Sequence, residues 1–170
     1  MIIIPLTQGK QAIIDDADKT KIEGFQWIAV RYYNTWYAKA YTRMGRRGKR
    51  NGIRRKGKMI YLHRLIMGFP NNHVDHKDHN GLNCQRENLR EVTPSQSNMN
   101  MRMRKGNISG FRGVTILKDH RRMCPWLAQL KINGKTVFRG YFKTAIDGAK
   151  AYNKASLKYH GEFGYRNFIP

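Results

Sequence analysis

Trp126-Leu127-Ala128-Gln129-Leu130-Lys131-Ile132-Asn133-Gly134-Lys135-Thr136-Val137-Phe138-Arg139-Gly140-Tyr141-Phe142 reads as two β-strands joined by a two-residue turn. Its flanks are rich in β-branched and aromatic residues, and Asn-Gly supplies the left-handed backbone that tight hairpin turns favour. Upstream, Phe111 to Ile116 is a third strand-like segment. Downstream, Thr144 suits a helix N-cap, and Ala145, Ala149, Tyr152, Ala155 and Tyr159 recur at steps of three and four up to His160-Gly161. That is the period of one amphipathic helix. A three-stranded antiparallel sheet with one helix over a face is expected, and Gln129 and Lys131, equal in parity, share a face of it.

Working outward, Trp27 to Tyr33 and Trp36 to Thr42 form a second strand-like pair, with a hairpin turn expected at Asn34-Thr35. Between Arg43 and Lys58 stand nine Lys or Arg and no acid. Arg46, Arg47, Lys49, Arg50, Arg54 and Arg55 belong to this run, which cannot bury a core but can lie along phosphates. Met59 to Met67 then returns to an apolar strand or short helix. The expected organisation is a basic β-hairpin region (1–61), a polar motif-bearing module (62–99), a basic linker (100–108) and the sheet-and-helix domain (109–170). The fold class is α+β.

The whole chain has 170 residues and a net charge of +22. A charge of that size repels itself in isolation, and its use is to neutralise a polyanion, of which nucleic acid is the commonest. The only apolar run, Met1 to Leu6, is too short for a signal-peptide core or a spanning helix, so a soluble, cytoplasmic protein with no membrane partner is expected. Cys84 and Cys124 stand far apart with no Cys-x-x-Cys. This spacing removes zinc ribbons and fingers and argues against a disulfide framework, so a metal would be held by O and N ligands.

The residue types that carry chemistry are concentrated in Asp75-His76-Lys77-Asp78-His79-Asn80, Glu87-Asn88-Leu89-Arg90 and Ser97-Asn98-Met99-Asn100. A neutral imidazole takes a proton from water near pH 7, and a carboxylate with a carbonyl oxygen holds a hard divalent cation. Neighbours on a strand point to opposite faces, so Asp75 and His76 are expected to divide metal binding and water activation between two directions. Clusters of Asp, Asn and His also build loops in which the side chains cap turns.

Leu62-His63-Arg64-Leu65, Val74 to Gly81, Glu87 to Arg90 and Val92 to Gln96 resemble the HNH nuclease module of phage and intron homing endonucleases, and Ile4 to Lys10 resembles the start of such proteins. Phe111 to Val114, Trp126 to Leu130, Val137 to Phe142, Ala149 to Tyr152 and Asn167-Phe168 resemble the DNA-binding domain of plant ethylene-response factors. The resemblance implies a ββα-metal core with Asp75 as metal ligand, His76 as general base, and Asn88 as the buried residue that braces the motif and orients His76. At the third motif position it leaves either Ser97 or Asn98 as a metal ligand, with His63 structural. One Mg²⁺ or Mn²⁺ per site, and no zinc, is implied. A monomer would then nick one strand of double-stranded DNA per active site, in a bacterial host if the chain is phage-encoded. In the last domain the resemblance implies that Arg112, Thr115, Gln129, Lys131, Thr136, Phe138, Tyr141 and Tyr152 contact DNA. Thr115 and Leu117 stand where the plant pattern has arginines, so its base preference does not transfer. A DNA-binding protein with a degenerate HNH site is the alternative that the Ser97 position leaves open.

Overall fold

The computed structural model describes residues 1–42, 57–101, 103, 106–118 and 123–170. The basic run that includes Arg46, Arg47, Lys49, Arg50, Arg54 and Arg55 lies outside the described residues. In chain order the elements are β1 (Ile2–Pro5), β2 (Gln11–Ile14), α1 (Lys19–Ile22), β3 (Ile28–Tyr32), β4 (Thr35–Tyr41), β5 (Met59–Tyr61), α2 (Leu62–Ile66), β6 (His73–His76) and β7 (Leu89–Val92). There follow α3 (Pro94–Met99), β8 (Val114–Ile116), β9 (Trp126–Ile132), β10 (Lys135–Phe142) and α4 (Ala145–His160). Several small antiparallel sheets and few helices make the protein α+β, and two compact units divide it at Thr93/Pro94. Among the described residues no helix is long and apolar enough to cross a membrane.

The first unit has one core. Alternation along β1 and β2 turns Ile4, Ala12 and Ile14 inward, where they meet Trp27, Ala38, Ile60, Leu62, Cys84 and Leu89. Residues from 1–61 and from 62–93 thus share a single apolar interior. The β1–β2 hairpin, which the sequence patterning left unassigned, braces the long loop between β6 and β7. Ile13 N–H donates to Leu82 O and Cys84 N–H to Ile13 O, both at 2.8 Å. Asp18, 1% exposed, accepts from Arg86 at 2.7 and 2.8 Å and pairs with Lys21. A carboxylate so buried is tolerable only because each oxygen has a charged donor. The β3–β4 hairpin turns at Tyr33-Asn34 rather than Asn34-Thr35, because Tyr32 and Thr35 close the ladder. Both alternatives for Met59 to Met67 occur in succession, as β5 and then α2.

In the second unit β10-β9-β8 form the sheet and α4 lies on one face. Asp147 N–H donates to Thr144 Oγ1 at 3.1 Å, which is the N-cap expected at Thr144. Val114, Ala128 and Ala149 form one small apolar cluster, and Leu130, Tyr152 and Ala155 another. Strand β8 is shorter than Phe111 to Ile116, because Gly113 takes φ 75° and passes so close to Tyr152 that a Cβ there would overlap its ring. Only glycine meets both demands without strain.

Candidate active site and nucleic-acid interface

Strands β6 and β7 pair antiparallel, with Asp75 opposite Arg90 and His76 opposite Leu89. Leu89 is a core residue, so its partner His76 also turns inward, 5% exposed, while Asp75 takes the other face. The two neighbours thus divide as strand alternation requires. Arg90 donates to Asp75 Oδ2 from Nη2 at 2.9 Å and Nε at 3.2 Å. Any ligand that Asp75 holds must therefore share the carboxylate with a guanidinium.

His76 sits in an aromatic nest. The His63 ring lies edge-on with centroids 5.0 Å apart, and the Tyr37 ring is 5.8 Å away. Tyr61 stacks on His63 at 5.5 Å. Cys84 Sγ is 3.9 Å from His76 Nε2 and donates to Gly81 O at 4.0 Å. Burial lowers the pKa of His76 to about 4, against the pull of the Asp78 and Asp75 carboxylates, so the imidazole is neutral at pH 7. His63 is lowered further, to about 3, first by burial and then by His76 and Arg64, and its Nδ1 has no hydrogen-bond partner. Burial pushes the Cys84 thiol up to about 12, so it stays protonated.

Asn88, 7% exposed, clamps the turn that leaves His76. Its Oδ1 accepts from Asp78 N–H at 3.0 Å, and its Nδ2 donates to Asp78 Oδ1 and Asn83 O at 2.9 and 2.8 Å. Its carbonyl accepts from Lys77 N–H at 2.9 Å. Partial burial raises the pKa of Asp78, but donors from Asn80, Asn83 and Asn88 bring it below the ordinary carboxylate value. Asp75, His76 and Asn88 are thus brought together, whereas Ser97 and Asn98 stand on α3 in the second unit, Ser97 half-buried and Asn98 exposed. Tyr37, Tyr61 and Cys84 were missed by sequence reasoning, and only the packing of β4, β5 and the β6–β7 loop about one core reveals them.

Among the described residues no three His, Cys, Asp or Glu converge as a metal cluster. The donors that the motif offers are one carboxylate and neutral amide or hydroxyl oxygens, which suit a hard cation that keeps much of its water shell.

On the sheet, besides the buried Leu127, the residues facing away from α4 are Thr115, Gln129, Lys131, Thr136, Arg139 and Tyr141. Five of them were expected to contact DNA, and Arg139 was not. Phe138 instead packs against both small clusters, because a bulge between Thr136 and Phe138 reverses the alternation. Tyr152 is 2% exposed in the core beneath Gly113. Arg112 turns its guanidinium to the end of α3, donating to Asn98 O at 2.9 Å, Met99 O at 3.0 Å and Met101 O, with the Tyr165 ring 5.6 Å away. Phe138, Tyr152 and Arg112 are therefore engaged inside the unit, and the exposed face is carried by the other residues.

No protein-family model and no solved structure matches the chain. Over 97 residues the chain is 33% identical to a protein named as an uncharacterized HNH endonuclease of Acanthamoeba polyphaga mimivirus. The match takes in 57% of this chain and 48% of that protein, so the chain spans about half the length of the curated relative it matches.

Proposed function

We propose that this protein is a site-specific DNA endonuclease of the HNH homing type, dependent on one Mg²⁺ or Mn²⁺ and nicking one strand per active site. The observation that carries the reading is the pairing of β6 with β7. It sets a neutral His76 beside Asp75 on opposite faces, with Asn88 locking the turn that leaves His76. The order β6, β7, α3 agrees with a ββα-metal motif, and the similarity to a viral protein named as an HNH endonuclease points to the same class.

In this reading His76 accepts the proton of the attacking water, a step worth about 10²–10⁴ in rate. Asp75 and Asp78 stabilise the imidazolium that results, and Asn88 holds Asp78 in the turn that follows His76. Asp75 would hold the cation, which supplies charge neutralisation at the leaving 3′ oxygen when bound. Thr115, Gln129, Lys131, Thr136, Arg139 and Tyr141 read base edges, since only the face away from α4 is open to a duplex. The ion pair between Asp75 and Arg90 favours one competing reading, a DNA-binding protein whose metal site has decayed.

Incubating the full chain with a DNA library and Mg²⁺ or Mn²⁺, then sequencing the ends, tests the proposal. Discrete cut sites that vanish with chelator and with His76→Ala are expected. Specific binding without any metal-dependent ends would establish the non-catalytic reading.

A further inference from the structure

We propose that the tip of the β3–β4 hairpin is a base-stacking wedge, in which Tyr33, backed by Tyr32 and flanked by Arg31, inserts against nucleobases of bound DNA. The two rings are 83% and 62% exposed and meet edge-on with centroids 4.7 Å apart. Neither belongs to an apolar cluster of the described residues. Tyr33 holds φ 51°, a left-handed backbone that a bulky side chain rarely adopts. Asn34, which tolerates that region better, stands one position later and does not take the positive φ. Arg31 Nε donates to Tyr33 O at 3.2 Å and holds the tip in this form. A tyrosine here strains the turn and leaves a large ring in water, and both disadvantages persist in the isolated chain. Stacking on a base offsets them, because every base offers a π-face and Tyr presents a rigid one.

The net charge of +22 selects DNA as the occupant over a protein surface. Strand β4 also fixes where the wedge acts. It runs from the tip to Tyr37, whose ring contacts His76. Four residues of extended strand span about 13 Å, roughly four base-pair steps at about 3.4 Å each. The wedge therefore meets bases a few steps from the phosphate that His76 serves. This placement rests on the nuclease reading, whereas the stacking itself does not.

The test uses the full chain in chelator, with mixed-sequence duplexes carrying 2-aminopurine at successive steps. Wild type is expected to change the fluorescence at one step. Tyr33→Ala and Tyr33→Gly should abolish that change and weaken binding by about 10- to 100-fold. Their melting temperatures should be unchanged or, for glycine, higher, because the left-handed strain is relieved. Tyr33→Phe should keep both affinity and signal. Binding by the alanine and glycine variants indistinguishable from wild type overturns the wedge, and so does a loss in the phenylalanine variant as large as in alanine. Failure of wild type to cleave in Mg²⁺ leaves this experiment intact and removes only the nuclease reading. Failure of wild type to bind any duplex overturns both.

Discussion

Thr136 and Phe138 stand two residues apart on β10 yet lie on opposite faces of its sheet. Thr136 pairs with Lys131 and Phe138 with Leu130, so the register shifts at Val137. An inserted residue of this kind bends the strand and re-aims the side chains beyond it. Phe138 thereby joins Leu130 and Tyr152 in the core, and Arg139 emerges opposite Gln129.

The two residues should separate stability from recognition. Arg139→Ala is expected to leave the melting temperature nearly unchanged while relaxing discrimination at one base position by about 1–3 kcal/mol. Phe138→Ala should lower stability by about 3 kcal/mol through the space it leaves in the core. Denaturation curves beside a selection of bound sequences check both. Undiminished selectivity in the Arg139 variant would remove it from the reading face.

His76→Ala should leave affinity for DNA nearly intact, since one neutral imidazole adds little to phosphate binding by a chain of 33 Lys and Arg. Cleavage should fall by at least about 10²-fold. A variant that cuts at the wild-type rate would rule out His76 as the base.

The third motif position is settled by two substitutions. A hydroxyl is a poorer ligand for a hard cation than an amide carbonyl, being less polarised. If Ser97 faces the cation, Ser97→Asn should raise cleavage at low Mg²⁺ and Asn98→Ala should change little. If Asn98 is the ligand, Asn98→Ala abolishes cleavage and spares binding. A Mg²⁺ titration of both variants decides, and no effect in either would place the ligand elsewhere.

His63 makes acid stability a readout of the buried pair. Its folded pKa of about 3 lies below the ordinary histidine value of 6.5, so the unfolded chain binds the proton more readily. Its contribution is complete above pH 6.5 and is lost as pH falls from there towards 3. His63→Phe should flatten the stability profile across that window, measured by denaturant midpoints at a series of pH values. An unchanged slope would show that His63 does not titrate on unfolding.

The elements defined by chain neighbours were legible in the sequence. Asn133-Gly134 marked the β9–β10 turn and Thr144 the start of α4. Asp75, His76 and Asn88 were legible as one motif because a single hairpin carries them. Less followed for the faces of the sheet: the resemblance implied that Thr136 and Phe138 alike contact DNA, and the bulge at Val137 parted them. Arg112 resembled a DNA contact, but the carbonyls ending α3 take its guanidinium. Tyr37, His63 and Cys84 surround His76 from three separate stretches of chain, with Tyr61 stacked on His63, and Asp18 buries itself on Arg86 from 68 residues away. Turns and caps depend on backbone preferences of adjacent residues, which composition displays directly. Which side chain reaches a face, a ring or an orphan carbonyl depends on pairing register and on a shared core, and these exist only once distant segments have packed.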